Sequence, residues 1–234
     1  FIYSTFQKKE KLLCKSQIVK YYITALALGI VITSVNLYGD TFQSYSAALR
    51  YASFQIISIG TSTGFATTDS SLWPAVSQLL LIFFALQCAC AGSTSGGIKA
   101  DRMVMLGKAI LRQIKLMQHP RAIFTVRIDG RSIAEDALAL GILFISAYLI
   151  VVFLTTLLLT VMGIDLLSAF SGAVAVTGNV GPGLGTVGST GNFSHIPALG
   201  KWVLTAAMLL GRLEIYGLIL FFHPQIWQTK QRAV

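Results

Sequence analysis

The chain has 234 residues, of which 54% are hydrophobic and 12% charged, with a mean hydropathy of +0.71 and a net charge of +9. Soluble domains carry roughly 25% charged residues, so this composition excludes an ordinary soluble enzyme and points to the lipid bilayer. The positive balance alone would suit a nucleic-acid binder, but its distribution along the chain assigns it to membrane topology and lipid headgroups, with no nucleic acid expected as a partner.

Four apolar runs, residues 18–37, 72–91, 137–164 and 202–222, are each about 20 residues or more, the length that crosses ~30 Å of hydrocarbon. Fifteen of the 18 Lys and Arg precede the first run, lie between the second and third, or follow the fourth. Arg50 and Lys201 alone fall in the alternate segments. This positive-inside bias predicts that both termini and the middle connection are cytoplasmic.

In chain order, a basic lead-in (residues 1–15) precedes the first span, which ends outside at Tyr38-Gly39-Asp40. Residues 42–59 mix apolar positions with Ser44, Ser46, Arg50 and Ser53. A full span here would strand Arg50 in lipid, so a short re-entrant helix is expected instead. It descends to the small, hydroxyl-rich stretch Ser58-Ile59-Gly60-Thr61-Ser62-Thr63-Gly64-Phe65-Ala66-Thr67-Thr68. Trp73-Pro74 opens the second span, with Trp73 at interfacial height and Pro74 in a helix-starting position. That span is interrupted by Ala91-Gly92-Ser93-Thr94-Ser95-Gly96-Gly97. Gly92 lies ~29 Å along a helix from Trp73, a spacing compatible both with an intramembrane loop and with a turn after the span has ended. Gly97 and Ile98 stand where a P-loop would need Gly-Lys, so the P-loop reading is dismissed. Cys88 and Cys90, two residues apart on a helix, cannot bridge each other and read as small apolar side chains.

Residues 99–116 form a basic amphipathic continuation that stops at His119-Pro120. Asp129-Gly130 is a turn, and Ser132 with Glu135 resembles a capping box opening the third span, which runs to Met162. Gly163 and Asp165 mark its outer end, and Asp165 is placed to cap a second re-entrant helix over residues 166–175. That helix leads into Ala175-Val176-Thr177-Gly178-Asn179-Val180-Gly181, and Gly181-Pro182-Gly183 turns the chain back. Pro197 opens the last span, which Trp227 closes. The expected organisation is a lead-in (1–15), one repeat (16–116), a cytoplasmic connection (117–132), a second repeat (133–227) and a tail (228–234). The fold class is an all-α integral membrane protein with two parallel span–pore-helix–filter-loop–span repeats. Superposing Gly64 on Gly178, 114 residues apart, pairs Thr63 with Thr177, and Pro197 falls on Pro74. Parallel repeats about an axis along the membrane normal describe a pore, and two of them do not close one.

An alkali cation crossing lipid exchanges its water shell for other oxygens, which backbone carbonyls supply where the chain is open to the axis. Glycine permits that backbone and lets the carbonyl approach, and a short helix ending at the loop aims its negative end at the ion. Thr63-Gly64-Phe65 and Thr177-Gly178-Asn179 meet these demands, with Phe65 and Asn179 packing outward. An ion-coupled carrier would place carboxylates at mid-depth, whereas Asp40, Asp69 and Asp165 sit at outer ends and only Glu214, beside Arg212, reads as deep. His119, His195 and His223 are scattered without metal spacing, so neither an enzyme nor a bound cofactor is expected. A non-conducting half-pore remains open.

The chain resembles the second half of a Trk/Ktr/HKT-superfamily potassium uptake protein, the bacterial membrane subunit. The resemblance is carried by Phe54-Gln55-Ile56-Ile57-Ser58, Thr63-Gly64-Phe65-Ala66-Thr67, Gly92-Ser93-Thr94-Ser95-Gly96-Gly97-Ile98-Lys99, Thr177-Gly178-Asn179-Val180-Gly181-Pro182-Gly183 and Gly211-Arg212-Leu213-Glu214. It implies four repeats around one pore, of which this chain supplies the third and fourth, with the missing N-terminal repeats or a completing subunit as a partner. It implies K⁺ at the filter carbonyls flanking Gly64 and Gly178, those of Ser62, Thr63, Gly64 and Phe65 and of Val176, Thr177, Gly178 and Asn179. Gly92, Ser93, Thr94, Ser95, Gly96 and Gly97 match the loop that blocks the family's pore below the filter and moves on gating, and Arg212 matches a basic residue facing that loop. Pairing Pro197 with Pro74 places Arg212 on Ala89, three residues before Gly92, so loop and arginine are expected at one depth. A buried Arg costs about 2.5–3.5 kcal/mol there unless paired. The resemblance further implies a homodimer in the bacterial cytoplasmic (inner) membrane and a cytoplasmic nucleotide-binding regulatory ring, for which residues 99–131 offer a docking face.

Overall fold

The computed structural model describes residues 16–90, 92–122 and 124–213. The lead-in with Cys14, the tail, and Glu214, His223 and Trp227 lie outside the described residues. Helix α1 spans Gln17–Leu37, α2 Tyr45–Gly60, α3 Ala75–Leu86, α4 Ala100–Gln118, α5 Glu135–Val161, α6 Leu166–Thr177 and α7 Ala198–Arg212. A two-residue antiparallel hairpin, β1 (Arg127–Ile128) and β2 (Arg131–Ser132), pairs Arg127 with Ser132 and Ile128 with Arg131.

Helices α1 and α5 have 21 and 27 residues, about 32 and 40 Å at 1.5 Å per residue, long enough to cross ~30 Å of hydrocarbon. Both leave their apolar side chains uncovered: Ile23, Leu28 and Val35 on α1, and Leu143, Ile150, Phe153, Leu157 and Val161 on α5. A soluble core helix would bury these residues, whereas a helix in lipid satisfies its own backbone and turns them outward. The chain is a helical membrane protein.

Between the long helices the packing is close. Helix α1 lies against α2, α3 and α4, helix α5 against α4, α6 and α7, and α3 meets α6. The shared core contains Ala48, Ala52, Ile56, Leu81, Phe84, Tyr148, Ala173 and Val174. At Gly29 a Cβ would lie 2.3 Å from the Phe84 ring, so the α1–α3 approach requires glycine there.

Three expectations are corrected. Helix α3 stops at Leu86 after 12 residues, ~18 Å, so the second apolar run breaks well before Gly92. The irregular segment folds back on the end of α3: Ile98 N–H donates to Leu86 C=O (2.8 Å) and Ala100 N–H to Ala89 C=O (3.0 Å). The glycine string thus belongs to a break inside the run, not to a turn after a completed span. Second, Ser132 caps nothing, because the Asp129-Gly130 turn (φ 51° and 81°) builds a hairpin that takes Ser132 into its ladder. Helix α5 starts after Ala134, and Glu135 pairs with Arg112 instead. Third, Trp73 is buried in the helix packing and does not face lipid as an interfacial anchor.

The second cap is present: the Asp165 carboxylate accepts from Ser168 N–H at 3.0 Å, which also holds it below the usual carboxylate range. Helix α6 runs two residues beyond the expected Ala175, to Thr177. Asp165→Ala is expected to cost about 1 kcal/mol, read as a lower Tm of the detergent-solubilised protein.

Candidate functional site

The loops that follow α2 and α6 have the same backbone. Thr61 N–H donates to Ile57 C=O (2.9 Å), Ser62 to Ile59 (3.0 Å) and Thr63 to Ser58 (2.8 Å). In the second loop Gly178 N–H donates to Val174 C=O (2.8 Å), Asn179 to Val176 (3.0 Å) and Val180 to Ala175 (2.8 Å). Ser62 and Asn179 both have φ 55°, and Gly64 (φ 76°) is matched by Gly181 (φ 115°). The structural register therefore pairs Gly64 with Gly181, not with Gly178 as superposing the Thr-Gly dipeptides suggests. The reason is that α6 continues through Thr177, leaving Gly178 as its αR cap (φ −71°, ψ −12°) in the position of Thr61.

The carbonyls divide along the same line. Those of Ser62, Thr63 and Gly64, and of Asn179, Val180 and Gly181, accept no hydrogen bond from any described residue. Phe65 C=O is taken by Ser58 Oγ (2.6 Å), Val176 C=O by Asn179 N–H, and Gly178 C=O by Gly96 N–H (3.2 Å). Thr177 C=O lies against Gly96, Gly211 and Asn179 Nδ2. The unclaimed carbonyls thus include Ser62, Thr63 and Gly64 of the first expected set and only Asn179 of the second, where Val180 and Gly181 continue the unclaimed row. The two loops meet: a Cβ on Gly64 would lie 2.1 Å from Val180 O. Asn179 is anchored through Nδ2 to Met208 C=O (3.3 Å), whereas Phe65 is 71% exposed and packs on nothing nearby.

The glycine string touches both loops. Ser95 Oγ and Ser62 Oγ are 2.7 Å apart, Gly96 N–H reaches Gly178 C=O, and Arg212 Nη1 donates to Thr94 C=O. Arg212 and the string thus share one level, as the repeat pairing predicts, but Arg212 is exposed on the chain's open side rather than buried. Glycine is required at three contacts. A Cβ would stand 2.6 Å from Thr177 O at Gly96, 2.7 Å from Cys88 Sγ at Gly97 and 1.9 Å from Thr177 O at Gly211. Gly92 and Ser93 lie at the string's start, with Ser93 N–H donating to Cys90 C=O and Gly92 at φ 85° in open space. Sequence reasoning missed Tyr22, whose hydroxyl donates to Gly60 C=O (2.8 Å), the same carbonyl that accepts from Ala89 N–H. Nothing in the local pattern of α1 marks that tyrosine. It also passed over Asp101, in the first turn of α4, whose Oδ1 is buried without a partner among the described residues. No group of three or more His, Cys, Asp or Glu among the described residues could hold a metal ion.

Two grooves also correspond. Ile59, Leu81, Ile82 and Ala85, between α2 and α3, receive Ser171, Val174, Pro182, Gly183 and Leu184, leaving a void of about 10 Å³. Their counterparts Val176, Leu204, Thr205 and Met208, between α6 and α7, border an open groove of about 400 Å³ with Asn179, Val180 and Gly181.

Residues 7–229 match the family model TrkH, cation transport protein. The chain is 36% identical over 203 residues to the Trk system potassium uptake protein TrkH of Salmonella typhimurium, covering 87% of this chain and 42% of that protein. It is 30% identical over 209 residues to the Trk system potassium uptake protein TrkG of Escherichia coli, covering 89% and 43%. The crystal structure of the potassium transporter TrkH from Vibrio parahaemolyticus superposes with a TM-score of 0.83 at 35% identity, over 93% of this chain and 46% of that one. The chain belongs to the TrkH family of cation transport proteins. It spans less than half the length of these relatives.

Proposed function

We propose that the chain forms half of a pore that takes up K⁺, with the ion held by the carbonyls of Ser62, Thr63 and Gly64 and of Asn179, Val180 and Gly181. One observation carries this reading: two loops of matched conformation meet with their carbonyl triplets unclaimed by any described donor. An unpaired carbonyl away from water is costly, so a row of them in a membrane protein calls for an occupant, and a desolvated cation is the natural one. The C-terminal ends of α2 and α6 add negative potential at the same point. The relatives' names, potassium uptake protein, agree with this chemistry.

The grooves support completion by further repeats. The third repeat's groove is filled by the segment after the fourth repeat's filter loop, so the open groove beside α7 suits the corresponding segment of a first repeat. Exposed Phe65, the counterpart of Pro182, suits the groove of a second. The string 92–97, tied to both loops and to Arg212, is read as the gate. The basic flanks put the termini and α4 on the cytoplasmic side of the bacterial inner membrane, where a nucleotide-binding ring would dock, and a homodimer is the assembly we propose. A second reading is an ion-coupled carrier, favoured by Asp101, whose Oδ1 is buried without a partner among the described residues in the first turn of α4.

Rb⁺ uptake in potassium-starved cells carrying the completed protein tests both readings. Saturable uptake is expected that persists after the proton gradient is collapsed, provided the membrane potential is clamped. No uptake would sink the pore, and loss with the proton gradient would favour the carrier.

A further inference from the structure

We propose that the inner end of the chain carries a binding site for the headgroup of an anionic phospholipid, between α4 and the β1–β2 hairpin. A cavity of about 270 Å³ lies there, lined by Lys108, Arg112, Lys115, Phe124 and Arg127 among others. Its depth follows from its contacts. Lys108 Nζ donates to Gln17 Oε1, at the first residue of α1, and Arg112 pairs with Glu135, the first residue of α5. Both membrane-crossing helices begin at this level, so the cavity sits at headgroup height. This placement depends on α1 and α5 spanning the bilayer and not on which ion the protein carries.

The charge balance at the cavity is positive and incompletely matched. Glu135 is engaged by Arg112, whose Nε remains buried without an acceptor among the described residues. Lys108 turns to two neutral oxygens, Gln17 Oε1 and Arg127 C=O. Lys115 and Arg127 are exposed, and their side chains have no carboxylate partner among the described residues. Asp129, in the hairpin turn, accepts from Ser16 Oγ (2.8 Å) and Gln17 N–H (2.7 Å) and is held below the usual carboxylate range, by the Gln17 amide first. A phosphate diester supplies the missing acceptors, and guanidinium forks suit it.

The surroundings select a lipid over a soluble phosphate. Leu111 lines the cavity and is exposed, and Ile110, Ile114 and Met117 on the same helix are exposed as well. An exposed leucine in the wall of a cationic pocket at the bilayer boundary fits an acyl chain below and a headgroup above, while Ile110, Ile114 and Met117 lie on the far face of the helix.

The test is binding of phosphatidylglycerol to the delipidated, detergent-solubilised protein, with phosphatidylcholine and inorganic phosphate as comparison ligands and Tm as the readout. Saturable stabilisation by phosphatidylglycerol and none by phosphatidylcholine is expected, with no displacement by excess inorganic phosphate. The double variant Lys115→Gln/Arg127→Gln should bind roughly 30-fold more weakly, at about fivefold per cation removed. Its lipid-free Tm should be unchanged, since neither side chain makes a bond within the described protein, and Lys201→Gln, at the other end of the molecule, should bind like the parent. Equal phosphatidylglycerol binding by variant and parent overturns the site. Equal stabilisation by phosphatidylcholine overturns its charge selectivity, and full competition by inorganic phosphate reassigns it to a soluble anion.

Discussion

Gly64→Ala in the completed protein is expected to abolish the proposed ion flux while the protein still inserts and folds its long helices. Two independent demands meet at this residue. Its φ of 76° is left-handed, which costs an L-residue about 1–2 kcal/mol. The added methyl would also stand 2.1 Å from Val180 O, a backbone atom that cannot swing aside as a side chain can. Relief requires the second loop to retreat, and that loop supplies the matching carbonyl triplet of the proposed filter. Rb⁺ uptake at background, with normal membrane abundance, is the expected measurement. Gly107→Ala is the control: it lies inside α4 with nothing within 4 Å of its Cβ position, and should keep full uptake. Near-parental flux and K⁺ preference in Gly64→Ala would remove this loop from the conduction path.

If the string is the gate, Arg212→Ala is expected to raise basal flux and weaken its regulation. The string 92–97 is held against the loops by Ser95 on Ser62, Gly96 on Gly178 and the Arg212 guanidinium on Thr94 C=O. A hydrogen bond from a charged donor contributes about 1.5–3 kcal/mol, so its loss shifts the string's closed-to-open balance by roughly 10- to 100-fold. Arg212→Lys keeps the charge without the planar donor fork and is expected to fall between the two. Rb⁺ flux through the completed protein in vesicles, with and without its regulator, reads the change. Unaltered flux in Arg212→Ala would leave the string as a structural turn rather than a gate.

The long helices, the short helices that precede the loops, the Asp165 cap, the Asp129-Gly130 turn and the stop at His119 were legible because each depends on local chemistry: apolar length, a cap, a turn pair, a proline. The two loops were legible, and the register between them was off by three residues. Thr63-Gly64 and Thr177-Gly178 look alike as side chains, yet the loops share hydrogen-bond offsets and signs of φ, which align Gly64 with Gly181 instead. The end of α3 at Leu86 was hidden for a similar reason. Gln87 through Cys90 read as apolar helix, and what unwinds them is closure against Ile98, Ala100 and the Gly60 carbonyl.

By itself, the amino-acid sequence determined that this is a membrane protein of helices and which two stretches differ from everything around them. Apolar length and charge bias act on each segment separately and need no partner. Only the tertiary structure decided which carbonyls remain unclaimed, that the glycine string rests on both loops, and that one groove is filled while its counterpart stands open. Those are properties of contacts between segments well separated along the chain, set by close backbone approaches at Gly64, Gly96 and Gly211 that no local pattern encodes.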